Sequence, residues 1–114
     1  MKDYLLVYRA DYSFIPDRSP EEAAAMTKRW MDWIGSIAAQ NKLTDRGQRL
    51  AASGKVVKNE STVTNGPYAE IKESIGGYSI IRADSYEQAI ELAKGCPIFT
   101  QGGTLEVREI SPLQ

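Results

Sequence analysis

Two serines, Ser19 and Ser85, each stand three residues ahead of a Glu or Gln and at the head of an amphipathic run. That S-x-x-E/Q spacing is a capping box, in which the serine side chain satisfies a free N–H of the first helical turn. At the first site Pro20 also suits the opening helical position. The helix it starts runs to about Gln40, roughly 30 Å at 1.5 Å per residue. Ala23, Met26, Trp30, Ile34, Ile37 and Ala38 recur at three- and four-residue spacing as its buried stripe, with Trp33 widening it. In the second helix, Ser85–Lys94, the inward residues are Tyr86, Ala89, Ile90 and Ala93, and Gly95 and Pro97 stop it. Extended apolar runs stand on both sides of each helix: Tyr4–Arg9, Tyr78–Ala83 and Thr104–Ile110. Strand, helix, strands, strand, helix, strand is the split βαβ order. It predicts an α+β, ferredoxin-like βαββαβ-type fold, an antiparallel sheet with two helices on one face.

Such a sheet has an open face. The first strand is apolar on both sides, with Leu5 and Val7 on one and Tyr4, Leu6 and Tyr8 on the other. Tyr4, Leu6 and Tyr8 are expected on the open face, where they would leave a large apolar patch. A second copy of the chain covers it most simply, so a homodimer through the sheet face is expected.

The remaining limits come from composition. A chain of 114 residues reads as a single domain, 1–114, large enough to build a core without disulfides or a structural metal. Fourteen basic and fifteen acidic residues leave a formal charge of −1, unlike the basic footprint of a nucleic-acid binder. No apolar run approaches the roughly 18–20 residues of a membrane span, and the N-terminal apolar stretch is too short for a signal peptide. One cysteine fits a reducing compartment, and a cytoplasmic protein is expected. There is no histidine, which removes Ser-His-Asp and Cys-His catalysis and the commonest metal ligand. Zinc then has no donor set, and Asp11, Asp17, Glu21 and Glu22 show no calcium-loop pattern. Gly102-Gly103 precedes a strand and is no phosphate loop. No cofactor is implied.

Between the helices, Lys42–Lys58 holds five basic residues against Asp45 alone, with short strand pieces around Leu50 and Val56–Val57. Asn65-Gly66-Pro67 reads as a turn between Glu60–Val63 and Tyr68–Ile71. Asn65-Gly66-Pro67-Tyr68-Ala69-Glu70-Ile71-Lys72-Glu73 resembles the D-G-P-F-x-E-x-K-E signature of the DGPF branch of the YCII-related family. The likeness continues through Gly76-Gly77-Tyr78, the helix Ser85–Lys94, Cys96-Pro97 and Leu105-Glu106-Val107-Arg108. The resemblance implies a dimeric α+β barrel, two ferredoxin-like sheets packed face to face. Some YCII-related proteins carry a His–Asp pair linked to acid–base work, and one branch resembles a lyase that eliminates chloride from a lactone. This chain has no histidine to stand in that pair. Proteins of the DGPF branch are also described beside extracytoplasmic-function sigma factors.

The candidate ligand site is the turn at Asn65–Pro67 and the strand after it. Alternation places Tyr68, Glu70 and Lys72 on one strand face, an aromatic hydroxyl, a carboxylate and an ammonium that can converge on a small polar molecule, with Arg46 reaching in. Glu70 and Lys72 equally read as an ion pair that fixes register. Arg46, Arg49, Lys55 and Lys58 offer an anion-attracting rim, or a basic segment that balances the acidic stretch Asn59–Glu91. Trp30 and Trp33 read as core or dimer packing, and Cys96 as a packed corner, since it follows a helix C-terminus and has no activating histidine. The functional classes are a binding protein for a small polar or anionic molecule, a lyase or isomerase using a carboxylate or a tyrosine, and an interaction partner of a sigma-factor system.

Overall fold

The computed structural model describes residues 1–11, 18–66 and 74–112. β1 (Lys2–Ala10) is followed by α1 (Pro20–Ala39), β2 (Leu43–Asp45), β3 (Gly54–Asn59), β4 (Thr62–Gly66), β5 (Ser74–Ala83), α2 (Tyr86–Ala93), a 3-10 turn (Pro97–Gln101) and β6 (Thr104–Glu109). Four strands form an antiparallel sheet in the order β2-β5-β1-β6, while β3 and β4 pair with each other in a sheet of their own. With the β3–β4 hairpin set aside, this is the ferredoxin-like α+β arrangement that the element order predicts.

Both capping serines act as expected. Ser19 Oγ accepts from the Glu22 N–H at 3.1 Å, and Ser85 Oγ accepts from the Gln88 N–H at 3.2 Å. The Gln88 side chain reaches one residue further back than a standard box and accepts from the Asp84 N–H. The α1 stripe is narrower than its periodicity suggests. Trp33 and Ile37 are buried, Met26, Trp30 and Ile34 half-buried, and Ala23 and Ala38 exposed. On α2 Ala89 and Ala93 are buried, but Tyr86 and Ile90 remain 44% and 42% exposed. A methyl group close to the sheet fills the helix–sheet gap, and the larger side chains are left at its margin.

The first strand turns the opposite way from the expectation. Tyr4, Leu6 and Tyr8 do not face outward: they form the core with Trp33, Ile37, Ile81, Ala89 and Ile98 beneath the helices. The open face is built instead from Leu5 and Val7, opposite Ile80 and Tyr78 on β5 and Arg108 and Glu106 on β6. Both faces of β1 are apolar, so alternation alone does not say which one the helices cover.

A second difference lies in the turn. The reversal is at Glu60-Ser61, where Asn59 Oδ1 accepts from both the N–H and the hydroxyl of Ser61. Asn65 and Gly66 belong to β4, paired with Lys55 and Gly54, and Pro67 lies outside the described residues. An Asn side chain that bonds its own backbone two residues on makes this β3–β4 turn without glycine or proline.

Candidate functional site

After β2 the chain does not leave the sheet; it follows β5 as far as Gly76. Ser79 Oγ donates to the Arg46 carbonyl at 2.7 Å, the Tyr78 N–H donates to the Gln48 carbonyl, and the Leu50 N–H donates to the Gly76 carbonyl. Arg49 bridges to Gly77. Two glycines permit the approach. Gly47 sits at φ +78°, where a Cβ would stand 1.7 Å from the Tyr78 carbonyl oxygen, and a Cβ on Gly77 would stand 2.8 Å from the Gln48 oxygen. Asp45 Oδ1 accepts from the Gly47 N–H at 2.8 Å and holds the turn into this segment.

Beneath this segment the Tyr8 hydroxyl donates to Ser79 Oγ at 2.7 Å. The ring of Tyr8 meets Trp30 edge-on at 5.0 Å and Trp33 at 6.2 Å between centroids. Burial holds the Tyr8 phenol protonated well above its ordinary range, although the Ser79 hydrogen bond acts the other way. Tyr8 is therefore a donor that anchors the 46–50 segment through Ser79, and not a base at neutral pH.

Arg46 and Arg49 project from this anchored backbone and are exposed. Among the described residues neither forms an ion pair. Backbone bonds hold the segment while the two guanidinium side chains stay exposed. The other two members of the basic rim sit elsewhere. Lys55 and Lys58 belong to the hairpin, where Lys55 Nζ donates to Asn65 Oδ1 at 2.6 Å. Tyr68, Glu70 and Lys72 lie outside the described residues; in the chain they join Gly66 to Ser74, which pairs with Ala10 at the end of β1.

The other face of the sheet carries a charge network. Arg9 Nε donates to Glu106 Oε1 at 3.0 Å and Arg108 Nη1 approaches Oε2 at 3.4 Å, and these bonds, from Arg9 first, hold the Glu106 carboxyl below its ordinary range. Against the helix layer, Arg29, Asp32, Trp33, Cys96 and Thr100 line an open cleft of about 500 Å³. Cys96 is buried, and burial pushes its thiol up to about 12, so it is protonated at neutral pH. The expectation of a packed corner describes it. Among the described residues no cluster of acidic or thiol side chains could hold a metal ion, and no helix is long and apolar enough to cross a membrane.

The sequence model of the YCII-related domain matches residues 1–114. The chain belongs to the YCII-related family. No match to it was found among curated proteins. In this YCII-related chain the Tyr8–Ser79 pair escapes sequence reading, because its members are 71 residues apart. One signal is present in retrospect: a tyrosine alternating with buried apolar residues needs a partner for its hydroxyl.

Proposed function

We propose that this YCII-related chain, of the DGPF branch, works in the cytoplasm as a homodimeric binding protein for a small polar or anionic molecule. The observation that carries the reading is the 46–50 segment, whose backbone is tied to Ser79, Tyr78 and Gly76 while Arg46 and Arg49 are exposed. With the backbone already held, an arriving anion has only the two arginine side chains left to order, which lowers the cost of binding. Residues 67–73 immediately precede β5 in the chain, and β5 carries the Gly76–Ser79 stretch to which this segment is bonded, so Tyr68, Glu70 and Lys72 are the proposed contributors from the DGPF-like signature. Dimerisation uses the open sheet face, where Leu5 and Ile80 are half-buried opposite one another beside Val7 and Tyr78.

Thermal denaturation against a panel of small carboxylates and phosphates tests the reading. A ligand at 100 times its dissociation constant stabilises by about 2.7 kcal/mol, and that gain should vanish in Arg46→Ala/Arg49→Ala. A panel that leaves the wild-type melting temperature unmoved, or moves both proteins equally, defeats the proposal.

A further inference from the structure

The β3–β4 hairpin is unusually bare for a pair of strands. An isolated two-stranded ribbon is marginal in water, and sheets become independently stable only with further strands or a packed face. Yet this hairpin carries Val57 opposite Val63, and these side chains are 68% and 58% exposed. The whole molecule has a radius of gyration of 15.8 Å and extents of 48 × 44 × 18 Å, against a radius of about 13 Å for a compact chain of this length. Six residues of β3 give an arm of roughly 20 Å at 3.3 Å per residue.

Its charge indicates the surface it fits. From Arg46 to Lys58 the chain holds four basic residues and no acidic one. From Asp84 to Glu91 it holds three acidic residues and no basic one, and this stretch includes α2 up to its last two residues; Lys94, just beyond the helix, meets Glu91 at 2.9 Å and leaves Glu87 without an ion pair among the described residues. The margin of α2 leaves Tyr86 and Ile90, four residues apart, partly exposed beside Glu87 and Glu91, also four apart, while the Tyr86 ring meets Tyr4 edge-on at 5.0 Å. A basic arm with an apolar pair and an acidic helix with an apolar pair are complementary surfaces on the same chain. In a two-fold dimer such a contact occurs twice, each copy giving an arm and receiving one.

We infer that the β3–β4 hairpin is a dimer arm. Val57 and Val63 lie against Tyr86 and Ile90 of a second copy of this chain, with Lys55 and Lys58 facing its Glu87 and Glu91. The inference rests on the homodimer reading above and adds a second contact to the sheet face.

Sedimentation equilibrium of the full chain tests it, with four arm and helix variants beside the wild type. Val57→Asp/Val63→Asp should weaken the dimer by roughly tenfold or more, as loss of a central apolar contact does. Lys55→Glu/Lys58→Glu and Glu87→Lys/Glu91→Lys should each weaken it, and the two charge reversals combined should restore it. All of these positions are exposed, so circular dichroism should show an unchanged fold. A dimer whose dissociation constant ignores the arm variants overturns the inference, as does a combined reversal that fails to recover. Leu5→Glu on the open face, with Ile80→Lys as a second variant should it misfold, separates the two readings. If only the open-face change dissociates the dimer, the arm is refuted and the sheet-face reading stands. If only the arm changes do, the reverse holds, and a wild-type monomer at micromolar concentration refutes both.

Discussion

The Tyr8 hydroxyl donates to Ser79 Oγ at 2.7 Å, and the same oxygen donates at 2.7 Å to the carbonyl of Arg46. One buried serine thus joins the floor of the core to the backbone that carries the exposed arginines. Tyr8 and Ser79 sit on the helix-facing side of the two central strands, and Ser79 is the one buried polar residue among the described residues.

Removing the middle of that chain should hurt more than removing its end. Ser79→Ala strands both the Tyr8 hydroxyl and the Arg46 carbonyl, at a cost of about 1–3 kcal/mol, whereas Tyr8→Phe removes one bond for about 0.5–1.5 kcal/mol. The double variant should cost less than the sum, since the phenylalanine no longer has a hydroxyl to leave unpaired. Urea denaturation of the four proteins gives the comparison, and strict additivity would show that the pair is not coupled.

Gly47 and Gly102 share a left-handed backbone, at φ +78° and +75°, but differ in surroundings. A Cβ at Gly102 has nothing within 4 Å, so Gly102→Ala should cost only the conformational term, about 1–2 kcal/mol. At Gly47 the same atom overlaps the Tyr78 carbonyl, so Gly47→Ala must also displace the 46–50 segment from β5. Its loss should clearly exceed that of Gly102→Ala, and any ligand contact made by Arg46 should weaken with it. Equal stability of the two variants would contradict the anchored 46–50 segment.

Alkaline pH should destabilise the fold. Burial raises Cys96 from an ordinary 9.0 to about 12, and raises Tyr8 above its ordinary 10.0. Unfolded chains lose these protons first, so the native state binds more protons at high pH and stability falls as pH rises. Each group contributes a slope of up to about 1.4 kcal/mol per pH unit, for Cys96 from pH 9 to about 12 and for Tyr8 from pH 10 upward. Below about pH 8 neither contributes a slope. Urea midpoints measured at pH 8, 9.5 and 10.5 should fall less steeply in Cys96→Ala than in the wild type. Parallel curves would mean that the thiol is not buried as the structure has it.

Local rules explain why much of the fold is legible beforehand. Ser19 and Ser85 cap, because a cap needs only the serine and the N–H three residues on. The element order then leaves few sheet topologies, and β2-β5-β1-β6 is the ferredoxin-like one. Legibility ends where composition fits more than one local structure. Asn65-Gly66 has the composition of a turn yet extends β4, and the reversal between β3 and β4 is made by the side chain of Asn59. Of the candidate site, Arg46 is described and exposed, but the bonds that position it come from Ser79 and β5.

What the amino-acid order determined by itself is the sequence of elements, their caps and the apolar character of both faces of β1. Those depend on neighbours within a few residues, which propensity and periodicity report directly. Only the tertiary structure decided which face of β1 the helices cover, sending Tyr4, Leu6 and Tyr8 inward and Leu5 and Val7 outward. Only it brought Tyr8, Ser79 and Arg46 into one hydrogen-bonded chain. A strand with two apolar faces satisfies alternation in either orientation, so the choice falls to packing volume. The helix layer takes the face whose large rings fit against Trp30, Trp33 and Tyr86.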